Sequence, residues 1–250
     1  PSHASPPVAR GKAMSRGRLS VIGVGPGDPE LITLKGVRRI ADADVVAYPT
    51  TAGGNAAARR IAAAHIVDQI ELAFEVPMAS DRAPATAAYD DASKRIAAAL
   101  EAGRKVALLC EGDPFFYGSA MYVYARLAGR FATEVVPGVS SLTACAAAVG
   151  RPLAARDDVL KVLPATLPEE VLVRELADCR SAVIIKVGRH FAKVRRALEV
   201  SGHLDAATIV EAATRADERI ARVADLDGDA QPYFSTILIT PDLGSFGGGA

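Results

Sequence analysis

Short apolar runs alternate along the chain with longer segments in which apolar residues recur every three or four positions. The first pattern is typical of buried strands and the second of helices. Their alternation predicts an α/β fold with largely parallel strand pairing. The predicted strands lie at 19–24, 45–48, 106–109, 135–136, 159–163, 182–187, 207–211 and 233–240, with one or two more within 66–76. The predicted helices lie at 31–41, 56–64, 85–102, 119–127, 140–149, 168–177 and 191–200.

The pattern restarts after Gly150, so the second half of the chain is predicted to form its own sheet. Residues 1–17 are rich in Pro, Ser, Ala and Arg and lack the apolar segment of a signal peptide, which predicts a disordered tail. The predicted organisation is an N-terminal tail at 1–17, α/β domains at 18–129 and 130–243, and a flexible tail at 244–250.

One strand end has the composition of a ligand-binding loop. The apolar run at 106–109 stops at Glu111-Gly112-Asp113-Pro114, and a helix is expected to begin near Ser119, a good N-cap. Ligands bind at the carboxyl ends of strands in open α/β sheets. Gly112 has no Cβ and would let another molecule approach the backbone closely.

Three consecutive aromatic residues, Phe115, Phe116 and Tyr117, follow this turn in a chain that is 5% aromatic and has no Trp. They would suit a flat organic ligand, or they would fill the core beneath the loop. The residues alone leave both interpretations open.

Charge and cysteine content exclude some classes of protein. Lys plus Arg and Asp plus Glu both number 29, so bulk positive charge is not available to bind nucleic acid. Cys110, Cys145 and Cys179 lack metal-ligand spacing and lie in apolar surroundings, which predicts reduced core thiols, no metal site and a cytoplasmic protein. No apolar run approaches the length of a membrane span.

The glycine-rich loop after the first strand does not fit a dinucleotide fingerprint. Asp28 stands where that pattern needs glycine, and Pro26 removes an amide that could bind phosphate. A nicotinamide-dependent oxidoreductase is therefore disfavoured. Among the histidines, only His190, at a strand end, is a functional candidate.

Several short motifs follow one another in a distinctive order. They are 23–29 (GVGPGDP), 34–36 (LKG), 48–49 (YP), 111–114 (EGDP), 136–141 (VPGVSS) and 210–214 (VEAAT). This series resembles the tetrapyrrole (corrin and porphyrin) methyltransferases over about residues 18–241. The segments 110–119 and 29–35 are most similar to those of the precorrin-2 C20-methyltransferases of cobalamin synthesis.

The resemblance implies two α/β domains with a ligand cleft between them, a homodimer, and a small-molecule tetrapyrrole as substrate. It also implies that S-adenosyl-L-methionine is held mostly by backbone groups. By motif, the contacts would come from Pro26, Glu111, Gly112, Asp113, Phe116, Ser140, Ser141, Val187, Ala213 and Thr236.

The implied reaction is methyl transfer to C20 of precorrin-2, giving precorrin-3A. A cobalt-loaded substrate (cobalt-factor II), another corrin-ring methylation, or a non-catalytic tetrapyrrole carrier are alternatives. A proton must leave the methylated carbon, and Tyr117, Asp28, Glu111 and His190 are candidate bases.

Two further roles follow from charge. Asp113 could lie near the cationic sulfonium, but a carboxylate in this turn is more often a loop cap. The substrate's carboxylates need local cations, for which the candidates are Arg38, Arg82, Arg151, Arg156, Lys161 and Arg189.

Overall fold

The structure, a computed structural model, describes residues 17–77 and 83–241 and divides into two compact units. The first unit runs to Val24 and resumes from Ile32 to Gly138; the second consists of Gly25–Leu31 and the chain from Val139. The predicted tails before Gly17 and at 244–250, and Arg82, lie outside the described residues. Gly17, assigned above to the tail, is buried.

The first unit is built on a fully parallel sheet in the order β3-β2-β4-β1-β5. Its register aligns Gly23 with Cys110, and Ile22 with Val136, so the carboxyl ends of the three neighbouring strands meet at one edge. The strands are β1 (Arg18–Gly23), β2 (Val45–Thr50), β3 (Ile70–Glu75), β4 (Lys105–Cys110) and β5 (Ala132–Val136).

Helices cover both faces of this sheet, as parallel crossovers require. Leu19 and Val21 of β1 pack on one face and Ile22 on the other, so β1 is buried along nearly its whole length. Within the described residues, the α-helices of this unit are α1 (Leu34–Ala41), α2 (Ala57–Ile61), α3 (Ala83–Glu101) and α4 (Ala120–Leu127).

The second unit contains a mixed sheet in the order β6-β7-β10-β8-β9, in which only β6 and β7 pair in parallel. Its strands are β6 (Leu160–Pro164), β7 (Ser181–Ile185), β8 (Thr208–Glu211), β9 (Arg219–Arg222) and β10 (Ser235–Ile239). Its described α-helices are α5 (Ser141–Val149), α6 (Glu169–Leu176) and α7 (Phe191–Val200).

The prediction of an α/β fold is confirmed, and that of parallel pairing holds for the first sheet and is wrong for the second. The segments that join β8 to β9 and β9 to β10 carry no α-helix. Antiparallel neighbours need no helical crossover, so these short connections allow the mixed sheet.

Two local predictions also need correction. The domain boundary does not fall near Gly129, because β5 pairs with β1 and carries the first unit on to Gly138. Ser119 does occupy the N-cap position of α4, but its side chain makes no capping hydrogen bond.

Among the described residues, no helix is both long enough and apolar enough to cross a membrane.

A charge cluster ties α1 to β5. Glu134 of β5 accepts a hydrogen bond of 2.6 Å from Arg39 Nε and pairs with Lys35 of α1. The hydrogen bonds from Arg39 and then Lys35 lower the pKa of Glu134 from its ordinary 4.5 to about 2. A carboxyl with a lower pKa in the folded state stabilises the fold above its ordinary pKa, and the contribution is lost as the pH falls towards 2.

We expect Glu134→Gln to lower the free energy of unfolding at pH 7 by about 1 kcal/mol, because the pair is only partly shielded from water. The variant should also show a smaller loss of stability than the wild type between pH 5 and pH 2. Urea unfolding at several pH values measures both effects. Glu101→Gln, which removes a more exposed pair with Arg130, is the matched control and should change little. Parallel pH profiles for wild type and Glu134→Gln would contradict the assignment.

Candidate functional site

Three loop backbones pack against one another at the carboxyl edge of the first sheet. They follow the neighbouring strands β1, β4 and β5, and their contact points are Gly23, Gly112 and Gly138. A Cβ on Gly23 would lie 2.6 Å from both Gly112 O and Gly138 N. A Cβ on Gly138 would lie 2.8 Å from Gly23 Cα and closer still to Gly112 O. These neighbours are main-chain atoms with little room to move, so only glycine fits at positions 23 and 138.

Asp113 ties two of these loops together. Its Oδ1 accepts a hydrogen bond from Phe115 N at 2.9 Å, and its Oδ2 accepts one from Gly138 N at 3.0 Å. Each carboxylate oxygen is therefore engaged by main-chain N–H groups. The interpretation of Asp113 as a loop cap is confirmed.

Gly112 differs from the other two glycines because it is open. A Cβ built on it would meet no atom of residues 17–77 and 83–241 within 4 Å, and its φ of +64° lies in the left-handed region that favours glycine. The loop therefore leaves room beside one backbone position at the sheet edge.

The aromatic residues after this loop are exposed, so the interpretation that they fill the core is wrong. Phe115, Phe116 and Tyr117 are 50%, 36% and 44% exposed. The rings of Phe116 and Tyr117 meet edge to face at 5.2 Å, and Tyr117 adopts a φ of +55°. Glu111 is half-buried in the same loop. The structure thus brings Glu111, Gly112, Asp113, Phe116 and Tyr117 together in one loop.

Asp28 belongs to the second unit, in the segment Gly25–Leu31. Its main-chain N–H donates to Thr214 Oγ1 at 3.0 Å, and its Oδ1 accepts a hydrogen bond from Glu30 N at 2.8 Å. Pro26 is buried in this segment.

The carboxyl ends of β7 and β8 lie at one edge of the second sheet, and left-handed residues cluster there. Lys186, Ala212 and Thr214 have φ values of +60°, +48° and +67°. Val187 and Ala213, the predicted cofactor contacts beside them, are buried. The side chains of valine and alanine carry no polar atoms, so these two residues could make a polar contact only through their backbone.

The other predicted contacts of the second unit lie on regular elements. Thr236 is buried on β10 opposite Val210. Ser140 and Ser141 are half-buried at the start of α5, where Ser140 makes no side-chain capping bond.

Among the other chemical candidates, the pKa of His190 lies below its usual value, chiefly because of burial and then because of the Lys193 and Arg189 charges. The imidazole is therefore mostly neutral at pH 7. Lys161 is engaged, since its Nζ donates to Glu175 O at 2.7 Å. Exposed side chains are found at Arg38, Arg151, Arg156 and Arg189.

The three cysteines are free and buried, as expected. Burial raises the pKa of the Cys110 and Cys145 thiols to about 11, so neither is a ready nucleophile. Across residues 17–77 and 83–241, no three His, Cys, Asp or Glu side chains are grouped as they would be around a metal ion.

Sequence reasoning did not single out Thr214 and Glu218 as a pair. Thr214 N donates to Glu218 Oε2 at 2.6 Å, while Thr214 Oγ1 receives the Asp28 amide. A threonine in a left-handed conformation has no local sequence signal. The partner 186 positions away could not be read from the pattern either.

Comparison with known proteins identifies relatives over most of the chain. The family model of the Tetrapyrrole (Corrin/Porphyrin) Methylases matches residues 18–227. A Sinorhizobium protein named precorrin-2 C(20)-methyltransferase is 43% identical over 232 residues, covering 89% of this chain and 95% of that protein. The cobalamin biosynthesis protein CobIJ of Mycobacterium tuberculosis (strain H37Rv) is 47% identical over 234 residues, covering 90% of this chain and 46% of CobIJ. The chain thus spans about half the length of that relative.

The fold also has a solved counterpart. The Thermus thermophilus uroporphyrin-III C-methyltransferase, crystallised with S-adenosyl homocysteine, superposes with a TM-score of 0.65 at 25% identity. The match covers 89% of this chain and 97% of that structure.

The glycine packing at the sheet edge generates a stability prediction. Gly138→Ala should lower the free energy of unfolding by about 1–3 kcal/mol, because the new methyl group meets main-chain atoms. Gly129→Ala is the matched control, since a Cβ there would meet no atom of the described part of the chain within 4 Å. Chemical denaturation of the two variants measures the difference. Equal stabilities would show that the edge can relax and that glycine is not required.

Proposed function

We propose, because the chain belongs to the tetrapyrrole (corrin/porphyrin) methylases, that it is an S-adenosylmethionine-dependent methyltransferase acting on C20 of precorrin-2 to give precorrin-3A. The observation that carries the proposal is the 43% identity to the Sinorhizobium precorrin-2 C(20)-methyltransferase, 95% of which the chain covers. Cobalamin biosynthesis is the corresponding pathway, and the name of the mycobacterial relative is consistent with it.

The loop after β4 fits a cofactor held by backbone groups. Gly112 is open to a ligand, and Asp113 holds the loop in place through Phe115 N and Gly138 N. When bound, S-adenosylmethionine supplies a methyl group that its sulfonium has already activated. We assign its binding in this unit to Glu111, Gly112, Asp113 and Phe116.

The chain's own contribution is to align the two reactants, keep water away and accept a proton. An electron-rich ring carbon can attack the activated methyl group directly, without a metal or a covalent intermediate. Correct alignment of the two reactants can therefore supply much of the rate enhancement. The exposed aromatic rings beside Gly112 offer flat apolar surface for a flat substrate. Tyr117, Asp28, Glu111 and His190 remain the candidate bases.

The substrate's carboxylates call for cations, and we propose that they are drawn from the exposed arginines at 38, 151, 156 and 189. Lys161 is a weaker candidate because Glu175 already engages it. A homodimer and a cytoplasmic location are further predictions, and light scattering of the purified protein would test the first.

Two alternative functions predict different binding or substrate use. A cobalt-loaded substrate would change the acceptor without changing the loops described above. A non-catalytic carrier would bind the tetrapyrrole without needing the opening at Gly112, so an intact Gly112 loop favours an enzyme.

The deciding experiment is anaerobic incubation of the protein with S-adenosylmethionine and precorrin-2, followed by mass spectrometry. We expect a gain of one methyl group, which isotope-labelled NMR should place at C20. Parallel incubation with cobalt-factor II tests the metal-loaded alternative. Cofactor binding without methylation of either substrate would refute the proposed reaction, and binding of tetrapyrrole alone would favour a carrier.

The open space at Gly112 predicts that a side chain at this position prevents cofactor binding. Gly112→Ala and Gly112→Val should abolish binding of S-adenosylmethionine in calorimetry, because their side chains would occupy the open space. Gly202→Ala is the matched control: Gly202 also has a left-handed φ, of +76°, and open surroundings, so it carries the same backbone strain elsewhere. Unchanged binding in the Gly112 variants would show that the cofactor does not approach this loop.

A further inference from the structure

A pocket of about 480 Å³ lies wholly within the second unit, and its lining includes Asp28, one of the candidate bases. Its lining includes Asp28, Thr214 and Glu218 among the polar residues and Leu31 and Ala144 among the apolar ones. A carboxylate in a partly apolar pocket is a common arrangement at sites of proton transfer.

Thr214 holds a costly backbone conformation at this pocket. Its φ of +67° is rare for a β-branched residue, and Ala212, two positions earlier, is also left-handed at +48°. The turn is closed by Arg215 N donating to Ala212 O at 3.0 Å, and the Arg215 guanidinium stacks on Phe234 at 4.7 Å. Glycine would adopt this conformation without strain, so the threonine side chain must contribute something that glycine lacks.

The hydroxyl of Thr214 supplies that contribution. Oγ1 accepts the Asp28 main-chain N–H at 3.0 Å, while Thr214 N donates to Glu218 Oε2 at 2.6 Å. The close approach depends on Gly27, where a Cβ would lie 3.0 Å from Thr214 Oγ1 and 2.5 Å from Arg215 Cγ. Glu218 therefore holds Thr214, and Thr214 holds the main chain of Asp28.

The side chain of Asp28 is fixed by a second contact. Glu30 N donates to Asp28 Oδ1 at 2.8 Å, which sets the rotation of the carboxylate. Asp28 Oδ2 accepts no hydrogen bond from the residues that the structure describes. Asp28 is thus held at its main-chain N–H and at Oδ1, and Oδ2 remains able to take a proton.

We infer that Thr214 is a positioning residue that holds Asp28 as the proton acceptor of the methyl transfer, with Glu218 holding Thr214 in turn. The inference rests on the proposed function and selects Asp28 over Tyr117, Glu111 and His190. In the reaction, an electron pair of the ring carbon forms the new carbon–carbon bond, and the carbon–sulfur bonding pair stays on sulfur. The proton then leaves the ring carbon for Asp28 Oδ2, and its bonding pair returns to the ring, which restores neutrality.

The test compares Thr214→Ala, Thr214→Ser and Thr214→Gly in steady-state kinetics. We expect Thr214→Ala and Thr214→Gly to lower kcat about 10- to 100-fold, with little change in the KM for S-adenosylmethionine or for the tetrapyrrole. A displaced base slows proton transfer but does not weaken substrate binding. Serine keeps the hydroxyl and should retain most of the rate. The glycine variant keeps the left-handed turn without strain, so its loss of activity could not be attributed to misfolding.

A readout without substrate separates positioning from general stability. The Asp28 amide should exchange its hydrogen faster in Thr214→Ala and Thr214→Gly than in wild type, and Thr214→Ser should keep it protected. Glu218→Ala should act in the same direction, and Glu218→Gln, which keeps an acceptor, should have a smaller effect. Thr133→Ala is the matched control, since its hydroxyl bonds only Phe131 O in the first unit.

The possible outcomes are distinct. Wild-type kcat in Thr214→Ala and Thr214→Gly, or a raised KM with unchanged kcat, would overturn the inference alone. An unprotected Asp28 amide in the wild type would overturn it as well. A wild-type protein that methylates neither tetrapyrrole would overturn the proposed function, and the inference with it.

Discussion

The close packing of three loop backbones at the carboxyl edge of the first sheet is the constraint on which the candidate site depends. Parallel pairing brings the ends of β1, β4 and β5 side by side, and the missing side chains at Gly23 and Gly138 let their loops touch. Only at this separation can Asp113 reach Gly138 N. The same packing that closes the edge at two glycines leaves it open at the third, Gly112.

Strand β4 and the loop after it were predictable because their signals are local. The apolar run of β4, the turn residues after it and the glycine at position 112 all lie within a dozen residues. The cap formed by Asp113 also follows from residue type, since a carboxylate in a turn binds nearby main-chain N–H groups.

What sequence reasoning missed depends on partners distant in the chain. β5 has only one fully buried residue, Val136, and its membership of the first sheet depends on β1, more than a hundred residues earlier. β9 was missed because its arginines and exposed surface do not resemble a buried strand. The left-handed turn at Ala212–Thr214 contains no glycine, so its conformation could not be predicted from residue types.

The segment Gly25–Leu31 has a consequence for how the protein is made. It leaves the ribosome directly after β1, yet it belongs to a unit whose remaining residues begin at Val139. The first unit is fully synthesised once Gly138 has been added. The hydrogen bond from Asp28 N to Thr214 Oγ1 can form only after a further stretch of chain has been made, because Thr214 lies 186 residues after Asp28. Closing so long a loop slows folding more than it costs stability. The second unit is therefore completed only after the first has been synthesised, by joining the segment that follows β1 to residues made much later.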